Sequence, residues 1–387
     1  MLDQRTIDII QSTVPVLEQH GVAITTAFYR NMFEDHPELL NIFNHTNQER
    51  GRQQLALANM VLAAAKHIDN LEAVLPAAVP VAHKHRSLTV KPEHYPIVGK
   101  YLLSGIQEVL GEAATPDIMD AWEKAYGVIA DVFIGAESGL YEEAKKEDGW
   151  DDFLPLVLVK KEKENDLITS FYFEREDGRP LPSYKPGQYV TIRFMIDGDD
   201  YLSNRQYTLS QAPNENTFRL SVKREGHVST ALHDDVHVGD RIDFTVPAGT
   251  FTCETTDRPI VFVAGGIGVT PLLAMAESLA RTTYDRPVTF LQAAKNKKVH
   301  AFEQEARAFM EALPNGTYDV LYSEPTNEPN GRWNETTLQP YVDPNADYYI
   351  CGPVSFMDDL MNILRQAGVP NDQLHFEYFG PALTLEA

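Results

Sequence analysis

The spacing of apolar residues changes twice along this chain, and each change marks a different kind of fold. Over residues 1–147 the period is helical. Ile7, Ile10, Val14 and Leu17 form one stripe, which Gly21 is expected to close. "VAITTAFYRNMF", "RQQLALANMVLAAAKHI" and "KPEHYPIVGKYLLSGIQEVLG" continue the pattern, the last with proline in its first turn and Gly111 at its end. "TPDIMDAWEKAYGVIADVFIGAESGLY" opens on a threonine cap followed by Pro116 and Asp117, a strong helix start. The charged stretch "EEAKKEDGWDD" reads as a linker. From residue 153 to 256 the period becomes two: Val190, Ile192, Phe194 and Ile196 alternate, as do Phe218, Leu220 and Val222, and Ile242, Phe244 and Val246. Short alternating strands between turn residues predict an antiparallel barrel. After Pro259, "PIVFVAGG" is a continuous apolar run that suits a strand buried on both faces. A helical "TPLLAMAESLA" follows, and then "PVTFLQAA", "TYDVLYS", "DYYICG" and "LHFEYF" recur between helical stretches. That alternation predicts a parallel, doubly wound sheet. The expected fold is multidomain: all-α over 1–147, an antiparallel β-barrel over 152–256 and an α/β doubly wound domain over 257–387.

Charge and composition narrow the partners. The 387 residues carry a formal net charge of -23, which argues against nucleic acid and anionic membrane surfaces, since both reward basic patches. No run of about 18 apolar residues is present to span a membrane. The start, "MLDQRTIDII", has an early acid and no basic-then-apolar run of a signal peptide. Cys253 and Cys351 are too few for a disulfide framework or for an iron–sulfur cluster. A monomeric cytoplasmic protein with small-molecule partners is the expectation.

The segment "VAHKHRSL" sets His83 and His85 two positions apart. On a helix such neighbours lie about 200° apart, so at most one enters a pocket. His85 shares its face with the apolar Ala78, Val81, Ala82 and Leu88, whereas His83 lies toward Arg86 and Ser87. His85 is therefore expected to point inward and His83 outward. An inward histidine is ordinarily a satisfied core residue, and a ligand role needs other misplaced polar groups. Three exist. Gln53 heads a stripe that continues through Leu57, Met60, Val61 and Ala64. Glu137 is in line with Tyr126, Phe133, Ile134 and Tyr141, where a carboxylate must be paired or costs several kcal/mol. Tyr95 lines up with Val98 and Leu102. Each alone has a structural explanation; together they describe a helical pocket with polar groups on both sides.

Taken with Phe28, Tyr29, Phe43, "KPEHYPIVG" and "AYGVIADVFI", this order resembles the globin domain of the flavohaemoglobins over the whole first third. The resemblance implies haem b, with His85 as the proximal iron ligand and Tyr29, Phe43, Gln53 and Leu57 on the distal side. It places Glu137, backed by Tyr95, at the second imidazole nitrogen. A carboxylate there makes the imidazole more basic and pushes electron density toward iron. Tyr29 and Gln53 would donate to partly negative bound oxygen.

Further along, "AGGIGVTP" is a glycine-rich turn from a buried strand into a helix. Such a turn suits a pyrophosphate, although tight strand–helix turns also use glycine for packing, and the full G-x-G-x-x-G spacing is absent. Arg205 in "RQYT" suits a phosphate and Tyr207 a ring, or both are ordinary strand residues. The ordered set "PSYKPGQYVTI", "NRQYTLSQ", "VKREGHVST", "VPAGTF", "VAGGIGVTPLLAM", "CGPVSFM" and "FEYFGP" is more specific. It resembles the ferredoxin-reductase family, in its flavohaemoglobin branch, from residue 153 onward. By that resemblance Tyr189, Arg205, Gln206, Tyr207 and Thr208 hold FAD, and Gly226, Val228 and Ser229 serve its phosphates. Gly266, Ile267, Gly268, Val269, Thr270 and Pro271 hold the nicotinamide dinucleotide, with Cys351, Gly352 and Pro353 near its nicotinamide. Tyr378, Phe379, Gly380 and Pro381 complete the flavin face, Tyr378 standing where relatives commonly have cysteine. The phosphate loop "VKREGHVST" also departs from the family pattern, being shorter than its usual doubled-glycine form. Lys84 would face away from the haem, and the family places it with Glu377 between flavin and haem. Lys295, Lys297 and Lys298 could meet a 2′-phosphate that Glu324 would repel, so NADH is favoured over NADPH. The implied activity is NAD(P)H-dependent nitric oxide dioxygenation, with O₂ and nitric oxide as substrates and detoxification as the task. The alternatives are an oxygen carrier or haem sensor with an attached reductase, and a flavin reductase of external acceptors such as quinones or peroxides.

Overall fold

The computed structural model describes residues 2–43, 48, 51–146, 148–254, 256–282, 284–325 and 329–379. Its first third is helical: α1 Gln4–Ser12, α2 Val14–Asp35, α3 Arg52–Lys66, α4 Leu75–Ser87, α5 His94–Leu110 and α6 Pro116–Ala144. As expected, Thr115 caps α6 by accepting the Ile118 N–H, and Gly111 ends α5 at φ +54°. Gly21 does not end a helix. The break falls at Thr13, ahead of Pro15, and α2 runs straight through Gly21. The missing side chain serves packing instead, because a Cβ there would lie 3.4 Å from the Cβ of Ala58 on α3. The charged linker is also shorter than its composition suggests. Glu142 and Glu143 belong to α6, and Trp150 already docks on the next domain through an indole N–H to the Phe244 carbonyl (2.8 Å).

The helical core divides in two. Ile10, Phe28, Met32, Ala65, Ile106 and Trp122 form the larger cluster, with Phe43 and Leu57 half-buried at its edge. Ala78, Tyr95, Ala130 and Phe133 form the smaller one, edged by Met60, Val81 and Ile134. The half-buried apolar edges and His85, whose side chain is 33% exposed, leave a slot between α3 and α4.

The second domain is a six-stranded antiparallel sheet of β1 Leu154–Lys163, β2 Ile168–Arg175, β3 Tyr189–Phe194, β4 Ser203–Thr208, β5 Phe218–Lys223 and β6 Arg241–Phe244, in the order β4-β3-β6-β1-β2-β5. A bridge between Leu209 and Leu220 joins its two ends and closes the barrel. Leu156, Phe171, Phe173, Val190, Ile192, Leu220 and Phe244 fill the interior. Strand β5 is buried on its outer face too: Ser221 meets Ser170 and Ser210, and Arg219 pairs with Glu305 (2.9 Å) of α9 Glu303–Ala312 in the third domain. α7 His227–Asp234 packs Leu232 into the barrel core.

The third domain is a parallel sheet of β7 Ile260–Gly265, β8 Val288–Ala294, β9 Gly316–Tyr322, β10 Asp347–Cys351 and β11 Leu374–Phe376, ordered β11-β10-β7-β8-β9. All six residues of β7 are buried, as its unbroken apolar run predicts. Helices α8 Val269–Ala280, α9, α10 Glu335–Leu338 and α11 Val354–Gln366 complete the unit. The winding reverses between β7 and β10, and dinucleotides bind beyond the carboxyl ends of strands at such a point.

The helical and barrel domains meet along two seams. Arg86 donates to the Val246 and Pro247 carbonyls, and Thr191 on β3 donates to the Ser87 hydroxyl (3.1 Å). The Gly249 N–H reaches His83 Nδ1 (3.3 Å). On the other side of the slot, Asn41 accepts from the Leu202 N–H (2.9 Å) and from the Asn204 amide. Among the described residues no helix is long and apolar enough to cross a membrane.

Candidate active site

The last turn of α4 carries His85. His85 Nδ1 lies 2.7 Å from Glu137 Oε1, and the Tyr95 hydroxyl donates to that same oxygen at 2.6 Å. Glu137 is 2% exposed, so these two donors are what compensate its burial. Nδ1 is fixed as the protonated nitrogen, since the carboxylate can only accept. Nε2 then carries a lone pair and has no protein partner among the described residues. Burial and the neighbouring carboxylate push the Tyr95 hydroxyl far up, so it remains a donor at neutral pH.

On α2, Tyr29 is buried among Phe28, Phe33 and Phe43, and burial raises its pKa. Its hydroxyl meets the side chain of Gln48, a residue that no periodicity singles out. Gln48 Oε1 also accepts from Gln54 Nε2 (3.0 Å). Gln53 Oε1 is buried with no partner, an orphan where native structures seldom leave one. An apolar cleft lined by Met60, Ala64, Ala78, Ile129 and Phe133 lies between α3, α4 and α6. The residues fit a haem: an imidazole nitrogen without a protein partner among the described residues, an apolar lining from α3, α4 and α6, and a buried amide oxygen, Gln53 Oε1, left without a partner.

His83 does not face solvent. It is half-buried against the barrel, where burial and Arg86 lower its pKa to about 4. Arg86 and Ser87, expected on the same outer side, are buried for the same reason. A face that looks outward on an isolated helix is an interface in this fold. Lys84 is half-buried too. Burial lowers its pKa, and Glu377 of the third domain opposes that shift. Glu377 is in turn raised to about 7 by burial, against the pull of Lys84. The structure thus brings these two residues from opposite ends of the chain within electrostatic reach.

On the barrel, Thr208 is buried while Arg205, Gln206 and Tyr207 are half-buried at its surface. Gln206 donates to Thr191 Oγ1 (3.1 Å), and Tyr189 sits beside Ser87 and Gly249. Burial lowers the Arg205 pKa and pushes Tyr207 up to about 12. Gly226 precedes α7, and Ser229 Oγ accepts from the Glu225 and Gly226 N–H groups (3.0 and 2.9 Å). Val228 is buried in a small cluster with Ile196 and Ala231, so only its backbone can serve a ligand.

At the switch point, Gly266 has φ +55°, and a Cβ on Gly268 would stand 2.3 Å from the Cys351 carbonyl oxygen. A Cβ on Gly352 would meet Phe356 at 2.8 Å. Hydrogen alone fits at 268 and 352, and the two turns close on one another. Val269, Thr270 and Pro271 are buried, and Thr270 Oγ1 returns to the Ile267 carbonyl (3.0 Å). Of the expected nucleotide residues, 269–271 therefore offer backbone rather than side chains. Cys351 is buried with its thiol on the Glu377 carbonyl (3.6 Å), Gly352 is half-buried and Pro353 is exposed beside it. The Tyr378 hydroxyl donates to Asp358 (2.8 Å). Phe379 is 50% exposed, a large ring without protein cover. Gly380 and Pro381 lie outside the described residues.

Three families match in order: Globin over residues 26–133, Oxidoreductase FAD-binding domain over 155–253 and Oxidoreductase NAD-binding domain over 262–361. A flavohemoprotein of Halalkalibacterium halodurans is 48% identical, covering 99% of this chain and 98% of its own. The chain belongs to the flavohaemoproteins. A flavohemoprotein of Bacillus subtilis is 46% identical across 100% of this chain and 99% of its own. The crystal structure of the Malassezia yamatoensis flavohemoglobin, with bound FAD and heme, superposes with a TM-score of 0.88 at 30% identity, covering 98% of this chain and 100% of that one. The FAD/NAD-binding domain of a Vibrio cholerae nitric oxide dioxygenase matches 59% of this chain and 100% of its own at 34% identity, TM-score 0.56. This flavohaemoprotein is therefore an oxidoreductase with a globin domain ahead of its FAD- and NAD-binding domains.

Proposed function

We propose that this flavohaemoprotein is an NAD(P)H-dependent nitric oxide dioxygenase that detoxifies nitric oxide. The balance is two nitric oxide and two O₂ consumed per NAD(P)H, giving two nitrate, NAD(P)⁺ and a proton. The observation that carries the reading is Glu137 accepting from both His85 and Tyr95 while buried. A carrier needs oxygen released, whereas a carboxylate-backed imidazole favours its activation.

When bound, the haem supplies an iron centre for O₂, FAD divides a hydride's two electrons into single ones, and NAD(P)H supplies the hydride. The chain's own residues do the rest. His85 presents Nε2, and Glu137 fixes its tautomer and raises its basicity. Tyr29 and Gln53 donate toward the distal side, while Phe43 and Leu57 exclude water. Arg205 neutralises phosphate, Tyr189, Gln206, Tyr207 and Thr208 orient the flavin, and Gly226, Val228 and Ser229 offer donors at the start of α7. Residues 266–271 and 351–353 receive the nicotinamide nucleotide, with Phe379 against the flavin. Glu324 accepts from Asn296 (2.8 Å) on the turn that bears Lys295, Lys297 and Lys298. A carboxylate held there disfavours a 2′-phosphate and supports NADH.

The test is nitric oxide consumption by the purified holoprotein in oxygenated buffer with NADH. Nitrate formed in step with NADH oxidation is expected. NADH oxidation that ignores nitric oxide, or rapid oxygen release with little turnover, would overturn the reading.

A further inference from the structure

We propose that Arg86 is a positioning residue for electron transfer, a clamp that fixes how the proximal helix is rotated against the flavin barrel. This rests on the reading above, in which reduced flavin supplies electrons to the haem. Arg86 directly follows the proximal His85, yet it points to the other domain and is only 5% exposed. Its guanidinium meets the carbonyls of Val246 and Pro247 and no carboxylate among the described residues, and its Nε has no partner. Burying a charge on such terms is costly, and a seam needing only adhesion would hold as well with apolar contacts.

What apolar contacts do not give is a single rotational setting. A planar fork on two consecutive carbonyls does. His83 and Ser87 seat on the same barrel surface, through the Gly249 N–H and Thr191 Oγ1. Thr191 also receives Gln206, on the strand assigned to the flavin. One helix end therefore has the iron ligand on one face and a path of hydrogen bonds to the flavin strand on the other. Electron transfer depends steeply on distance, so a small rotation of this turn changes its rate without touching either cofactor site.

The experiment compares wild type, Arg86→Met, Arg86→Lys and Ser87→Ala holoproteins, mixed anaerobically with NADH and followed at the flavin and haem bands. Expected for Arg86→Met are a wild-type haem spectrum, unchanged flavin reduction and at least tenfold slower haem reduction. Arg86→Lys, whose ammonium can still donate to the carbonyls, should recover part of the rate. Ser87→Ala, should Arg86→Met fail to fold, should slow haem reduction in the same selective way. Hydrogen exchange at the Gly249 amide should quicken in Arg86→Met with and without bound cofactors. Haem reduction within twofold of wild type in Arg86→Met, or equal loss of flavin and haem reduction, would overturn the proposal. Wild type that reduces flavin but never haem would instead overturn the underlying reading.

Discussion

Replacing Glu137 by Gln should raise the haem midpoint potential, and replacing Tyr95 by Phe should lower it. Both side chains act on His85 through one oxygen, Glu137 Oε1, at 2.7 and 2.6 Å. In wild type the imidazole N–H donates to a buried carboxylate, a charge-assisted bond. Such a bond is worth about 1–2 kcal/mol more than one to a neutral amide. The negative charge stabilises ferric iron more than ferrous. If all of that difference separates the two oxidation states, Glu137→Gln shifts the potential upward by about 45–90 mV, at about 59 mV per tenfold for one electron. Tyr95→Phe works oppositely. The phenol draws charge from the carboxylate, and without it the oxygen accepts more strongly from the imidazole. A downward shift of about half that size follows, since a neutral donor is removed and the carboxylate remains. The assay is a spectroelectrochemical titration of each holoprotein, with the Soret band confirming that haem is bound. Shifts of the same sign in both variants would refute the argument, because a shared structural loosening, not the charge on one oxygen, would then be in control.

His85→Ala should abolish the Soret band while NADH still reduces the flavin; an unchanged band would remove His85 as the ligand. Gly268→Ala should clash with the Cys351 carbonyl, where its Cβ would lie 2.3 Å away, and raise KM for NADH by at least tenfold or lower the thermal midpoint. Native affinity and stability together would show that the turn yields. Glu377, raised to about 7, gives a stability effect of definite sign. Below about pH 4.5 the carboxyl is protonated in folded and unfolded chains alike. Between there and pH 7 only the unfolded chain ionises, so stability falls by up to about 1.4 kcal/mol per pH unit and then levels off. Urea unfolding of apo Glu377→Gln should therefore gain on wild type by about 1–3 kcal/mol from pH 5 to pH 8, the lower end allowing for its partial exposure. No gain with pH would contradict the burial.

Apolar spacing along the chain specifies the three kinds of layer and singles out four candidate site residues. Period determines which face of an element is apolar, so the helices, the closed barrel and the buried strand β7 follow from spacing alone. A polar residue on such a face must find a partner or a ligand, which is why His85, Glu137, Tyr95 and Gln53 stood out. Packing alone sets the arrangement where two domains meet. The face of α4 that bears His83, Arg86 and Ser87 is polar, and polarity reads as solvent on one helix taken alone. It is buried because the barrel offers the Val246 and Pro247 carbonyls, Thr191 and the Gly249 N–H at matching positions. The nearness of Lys84 to Glu377, the meeting of Tyr29 with Gln48 and the use of Tyr378 by Asp358 are of the same kind. Each joins groups far apart in the chain or in a stretch without apolar period. Local spacing sets which side of an element wants water, but the partner waiting on that side is set by how the elements pack.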